Sequence, residues 1–299
     1  MNAIGIDVGG SKTVIGLVDT VSGRVDRTVR LETPARARAG SDFLRRVADE
    51  ARALSADAAV PLGVGICEAV DTAGEIVSAH RVPWTTAELR AAFSFAPALT
   101  IDSDVRAAAV AEACFGVGRG LGDWLYANAG TGIASVVMRG AVPYLGCRGR
   151  AMGLGMSHLV EEDARREPLS VEDIAGGAGM LARARAAGLA VPSVAALIAE
   201  AEANEPGAHG VVAGAGALLG RALGFLANVL DPEVVVLGGG MPSASPTYLA
   251  ACRRALDASL WRPAPLCPEL RVAGLGPESG LVGAALLAAP QEATAFRSG

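Results

Sequence analysis

The 299-residue chain has no excess of positive charge, no closely spaced cysteines and no long apolar run. Its net charge of −5 offers no electrostatic hold on a phosphate backbone, which argues against nucleic-acid binding. Of 26 basic residues only Lys12 is a lysine, an arginine bias expected of a GC-rich genome that also singles out Lys12. The five cysteines (Cys67, Cys114, Cys147, Cys252, Cys267) are odd in number and form no Cys-x-Cys or Cys-x-x-Cys pair. Neither a zinc site nor a disulfide framework is therefore expected, and the thiols read as structural in a reducing compartment. No uninterrupted apolar stretch reaches the ~20 residues needed to span a bilayer, and the N-terminus reads straight into a strand. The expectation is a cytoplasmic protein with no membrane partner.

What is present fits a compact α/β protein, with 51% hydrophobic residues, 19% charged and 38 glycines. The length allows two domains of ~100–200 residues. Strand patterns at 3–8, 13–19 and 25–31, with turns at Gly9-Gly10 and Ser22-Gly23, predict a hairpin meander. A helix is predicted over 41–55, short buried strands over 62–66 and 99–102, and an alanine-rich helix over 105–115. The grammar restarts at Asp123: strand 124–128, the turn Gly130-Thr131-Gly132, then strand 133–139. Helical sequence dominates 170–230, a buried strand follows at 234–237, and a last helix spans 281–289 before ten frayed residues. Two copies of one unit predict related lobes with a ligand cleft between them.

Four segments carry candidate chemistry. In Asp7-Val8-Gly9-Gly10-Ser11-Lys12-Thr13, glycines let backbone N–H groups approach phosphate oxygens, and Ser11 and Thr13 add hydroxyls. Asp7 at the strand end could hold Mg²⁺ through its water shell. An ordinary Gly-Gly hairpin is the competing reading. Asn128-Ala129-Gly130-Thr131-Gly132 repeats the design, and two such turns suit a triphosphate gripped from both sides. The third segment, Asp231 to Gly240, ends a buried strand in Gly238-Gly239-Gly240, where a flat base could lie close, or where the strand merely turns. In the fourth, Asp104 stands where a strand gives way to a helix. There it can accept the proton of an attacking hydroxyl, or else Asp102 or Ser103 caps the helix and Asp104 favours its positive end.

Together these segments resemble the ROK family (repressor, open reading frame, kinase), from Gly5 to about Ala289. Its Asp-x-Gly-Gly-Thr-Lys motif matches Asp7 to Lys12 with Ser11 for threonine, and its Gly-Thr-Gly-Ile loop matches Gly130 to Ile133. Its adenosine element is echoed by Asp231 to Gly239, and its Asn-Asp-Ala-Asn segment by Ser103 to Arg106. The resemblance implies an α/β, two-lobed actin-like ATPase (ribonuclease H-like) fold with mixed β-sheets and a cleft between the lobes. The lobes would be 1–116 plus 281–299 and 117–280. It makes Asp104 the catalytic base. Asp7, Gly9, Gly10, Ser11, Lys12, Thr13, Gly130, Thr131, Gly132, Gly238 and Gly239 would hold the nucleotide, with ATP and Mg²⁺ as cofactors. Glu68, Asp102, Ser103, Asp104, Gly155, His158 and Glu172 would meet the substrate.

The departures from the family pattern bear on the substrate. The Gly-Glu-x-Gly-His motif falls on Leu154 to His158, which keeps His158 and replaces glutamate by Gly155. Cys67-Glu68 stands for a Pro-Gly pair and brings a carboxylate. The family's cysteine-rich zinc cluster is missing, while the glutamate after it persists as Glu172. The expected activity is ATP-dependent phosphorylation of the primary (6-) hydroxyl of a hexose. Glu68 and Asp102 favour an amino sugar such as kanosamine, because an ammonium beside a carboxylate makes a charge-assisted hydrogen bond. A C7-cyclitol kinase and a non-catalytic sugar sensor are the alternatives. The expected assembly is a homodimer, with no nucleic-acid partner.

Overall fold

The computed structural model describes residues 1–54, 60–159, 168–261 and 267–289. The first half runs β1 (Asn2–Val8), β2 (Lys12–Asp19), β3 (Val25–Glu32), α1 (Ser41–Leu54), β4 (Leu62–Ile66), α2 (Thr86–Ala92), β5 (Leu99–Ser103) and α3 (Asp104–Phe115). The second runs β6 (Asp123–Ala129), β7 (Ile133–Arg139), β8 (Val142–Pro143), α4 (Val171–Ala175), α5 (Gly177–Ala186), α6 (Val194–Glu202) and α7 (Pro206–Leu230). It continues through β9 (Val234–Gly238), α8 (Gly240–Ala244), α9 (Pro246–Ser259), β10 (Glu269–Val272) and α10 (Ser279–Ala288). Ser55 and the ten C-terminal residues expected to fray lie outside the described residues.

The repeat read in the sequence reappears as topology. One sheet has the order β3-β2-β1-β4-β5 and the other β10-β9-β6-β7-β8. Counted from the start of each half, both place the third, second, first, fourth and fifth strands side by side. In the first sheet the β1–β2–β3 meander is antiparallel, and β4 and β5 join β1 in parallel. In the second, β9 lies parallel between β6 and β10, and the β7–β8 hairpin is antiparallel. The meander needs only tight turns, whereas each parallel neighbour requires a helical crossover. Both sheets are accordingly mixed.

The chain divides into two compact units: residues 1–121, 136–152 and 277–299, and residues 122–135 and 153–276. The sequence had placed 136–152 with the second unit. This segment instead joins the first, because Arg106 donates to the Gly149 carbonyl and Gly149 packs on Val70 and Asp71.

Within the first unit, α10 packs on α3, β1 and β4. It is apolar on all sides, with Leu281, Val282, Ala284, Ala285 and Leu286 at most 2% exposed, as a core helix requires. Its approach is backbone to backbone. A Cβ on Gly283 would overlap the Ala107 carbonyl of α3, and one on Gly63 of β4 would overlap the Ala284 carbonyl. In the second unit, α7 is 25 residues long and apolar enough to span a membrane, yet its apolar face is buried on α9. Gly216, Gly220 and Gly224 form the ridge through which α7 meets Tyr248, Cys252 and Ser259. Gly283→Ala should lower stability by about 1–3 kcal/mol or more, as overpacking does. Urea unfolding measures it, and an unchanged midpoint would contradict this packing.

Candidate functional site

In the first unit the candidate residues gather at the carboxyl ends of three parallel strands, β1, β4 and β5. Open α/β sheets commonly bind ligands there. Asp7 is the penultimate residue of β1. Gly280, in the first turn of α10, lies so close that a Cβ there would be 2.7 Å from the Asp7 carboxyl carbon. Although Asp7 keeps some solvent access, its packed surroundings raise its pKa from 3.8 to about 6, and Lys12 acts in the opposite direction. A partly exposed carboxylate whose charge is poorly compensated suits a divalent cation, which would favour its ionised form.

The turn after β1 is closed by the Gly9 N–H donating to the Lys12 carbonyl at 2.9 Å. Gly9 and Gly10 are partly exposed, and Ser11 and Lys12 are exposed, so these four remain open to a ligand. Thr13 does not. It is fully buried, with its Oγ1 2.8 Å from Thr33 Oγ1, tying β2 to the segment after β3. The expectation of a phosphate-facing Thr13 hydroxyl is corrected. Lys12 begins β2 facing outward, and strand alternation turns its neighbour inward.

Glu68, expected to bring a free carboxylate to the sugar, is 2% exposed and occupied by the protein itself. It accepts from the Ser78 hydroxyl and from the backbone N–H groups of His80 (2.8 Å), Arg81 (2.5 Å) and Val82 (3.0 Å). Its role is to hold the 78–82 loop. Asp102 is likewise engaged, accepting from Arg106 Nε at 2.6 Å and from the Ser103 N–H at 2.7 Å. Ser103, the N-cap of α3, makes no side-chain cap. Ser103 Oγ is fully buried and without a hydrogen-bond partner. Asp104 opens α3, partly exposed, with one oxygen on the Val105 N–H at 2.7 Å. Cys67 reports how closely these acids gather. Its thiol is raised well above the usual value by burial and then by Asp104, Glu68 and Asp7, against Arg81.

In the second unit, the Gly130-Thr131-Gly132 turn is closed by the Gly130 N–H on the Gly132 carbonyl at 3.0 Å. Gly177 and Ala178, at the start of α5, donate to the carbonyls of Gly130 (2.9 Å) and Thr131 (3.2 Å). The carbonyls are thus held from behind by a helix. Glu172 sits directly against the turn, accepting from the Ile133 N–H at 2.8 Å and leaving no room for a Cβ on Gly132. Gly238 ends β9. Gly239 follows with φ +88°, and a Cβ there would overlap the Ala129 carbonyl and lie 2.7 Å from Asn128 Oδ1. Asn128, which the sequence reading did not select, therefore lies beside both glycine turns.

Gly155 lies in a 3-10 turn over Gly153–Met156, where a Cβ would overlap the Ile133 carbonyl oxygen, so no glutamate side chain fits at this position. His158, two residues beyond that turn, is exposed.

Two mixed sheets of one strand order, each opening on a hairpin with a glycine turn, define an actin-like ATPase fold. Residues 3–291 match the ROK family, and the chain belongs to it. It is 28% identical over 300 residues to the N-acetylgalactosamine kinase AgaK of Shewanella sp. (strain ANA-3), covering 95% of each chain. It is 31% identical over 187 residues, 62% of its length, to the bifunctional enzyme NanE/NanK of Brucella melitensis, of which it spans only 34%. Among solved structures, the ROK family glucokinase from Streptomyces griseus in complex with glucose and AMPPNP superposes with a TM-score of 0.82. That pair is 25% identical, over 96% of this chain and 99% of the other.

Two outcomes test the site. A carboxyl whose folded pKa lies above its unfolded value costs stability as pH rises from about 4 to about 6, and the cost is complete at pH 7. Asp7→Asn should therefore raise the metal-free protein's stability at pH 7 by about 1–3 kcal/mol and do nothing below pH 4, read by denaturation at both pH values. Glu68→Ala should instead cost about 2–4 kcal/mol, since it strands buried donors. Unchanged melting with a raised KM would return Glu68 to the substrate.

Proposed function

We propose that the chain is an ATP-dependent kinase that transfers the γ-phosphoryl group to the primary hydroxyl of a hexose. The observation that carries this reading is Asp104. It is a partly exposed carboxylate on the first residue of a helix, whose Cα lies 3.4 Å from the Cβ position of Gly65 on β4. Its placement suits a base that orients the acceptor hydroxyl and takes its proton as the oxygen attacks phosphorus. Backbone N–H groups at Gly10 and Gly132 suit the phosphates, because such donors stabilise developing charge without reorganising, while those of Gly9 and Gly130 close the two turns. Mg²⁺, held near Asp7 through its water shell, would screen the phosphate charge. Most of the rate would come from positioning, and the base would add ~10²–10⁴-fold. The working compartment would be the cytoplasm, where ATP is available.

Relatives named as kinases of glucose and of N-acetylgalactosamine support a hexose acceptor. An amino sugar such as kanosamine is the narrower form of this reading. It rested on Glu68 and Asp102, and both carboxylates are now bound to the protein's own donors, so a neutral hexose is the better-supported acceptor. Coupled ADP release with glucose, N-acetylgalactosamine, N-acetylmannosamine, kanosamine and a valiolone-type cyclitol decides among them. The expected result is turnover with a hexose, lowered ~10²–10⁴-fold by Asp104→Asn with sugar and nucleotide binding retained. Sugar binding without ADP release would make the protein a sensor. Near-normal turnover by Asp104→Asn would remove Asp104 from the role.

A further inference from the structure

The geometry points to Arg106 as the positioning residue of the acceptor half of the site, an inference that rests on the kinase reading and deepens it. Arg106 is 2% exposed. Its Nε donates to Asp102 Oδ1 at 2.6 Å, and Nη2 pairs with the same oxygen. Nη2 also donates to the Val70 carbonyl at 2.7 Å, and Nη1 to the Gly149 carbonyl at 3.1 Å. One guanidinium therefore joins the end of β5, the segment after Cys67-Glu68, and the 144–152 loop that runs on to Gly153.

Each of these segments is itself well ordered. Gly149 has φ +69°, and a Cβ there would lie 2.5 Å from the Asp71 Cα and 2.6 Å from the Val70 carbonyl oxygen. The loop thus rests directly on the Val70–Asp71 backbone. Asp71 Oδ1 accepts from the N–H groups of Ala73 and Glu75, and Val70 bridges to Ile76. The Arg106 fork locks this platform to Asp102, four residues before it, and Asp104 sits midway along the bridged span. The strand-to-helix junction that aims Asp104 cannot turn without breaking the bridge.

Burying an ion pair is weak evidence for stability, so geometry is the better account of this one. Three acceptors reached from one side chain suit a guanidinium and defeat an ammonium, which lacks the fixed fork.

The test uses the full chain and the acceptor identified above, with Arg106→Lys, Arg106→Met and the double variant Asp102→Asn/Arg106→Met. The double variant leaves no unpaired buried charge and guards against simple misfolding. All three should lower kcat ~10–100-fold with KM for ATP within about twofold of wild type, as sub-ångström misplacement of a base does. In both Arg106→Met variants, hydrogen exchange should quicken over 68–72 and 145–151. Wild-type kcat in the folded double variant, or unchanged exchange in those segments, would overturn the proposal. Were the wild-type protein to release no ADP with any acceptor, the kinase reading would fall, and the exchange measurement would decide the clasp alone.

Discussion

Four carboxylates, Asp7, Glu68, Asp102 and Asp104, stand at the carboxyl ends of the parallel strands β1, β4 and β5, and the first unit is arranged to make that concentration of negative charge tolerable. Each is accommodated differently. Glu68 is surrounded by three backbone N–H groups and a hydroxyl, and Asp102 faces a buried guanidinium. Asp104 takes an N–H in the first turn of α3, where the helix end is positive. Asp7 is the least compensated, and its raised pKa records the deficit. On the kinase reading proposed above, a divalent cation would meet that deficit.

The duplication divides this labour. Both halves lay their strands in the same order, but the strand ends of the second carry glycines and the neutral Asn128. Acids at those ends would repel a phosphate chain, whereas backbone N–H groups in a tight turn attract it. The helix behind Gly130 and Thr131 takes up their carbonyls, so oxygen dipoles are held away from the ligand side of the turn.

Much of this was legible in the linear pattern. Hairpin strands, glycine turns and an acid at a strand-to-helix boundary all depend on neighbours a few residues apart. Thr13 was also readable, since period-two alternation from the outward Lys12 turns it inward, although its hydroxyl beside the glycine turn suggested a phosphate donor. Asp123 as a restart point was right because a meander repeats its turn spacing. Gly155 could not be read from its neighbours, since only the Ile133 carbonyl, pressed against it, excludes a side chain there.

The sequence by itself therefore determined the mixed α/β class, the repeat, the two glycine turns and the candidacy of Asp104, because local periodicity and backbone permissiveness encode them. The tertiary structure alone decided which partners the acids take. Glu68 is taken by amides 12 to 14 residues away, and Arg106 reaches carbonyls 36 and 43 residues distant. Hydrogen-bond partners that far apart are set by how the chain packs, and no short-range pattern carries that information.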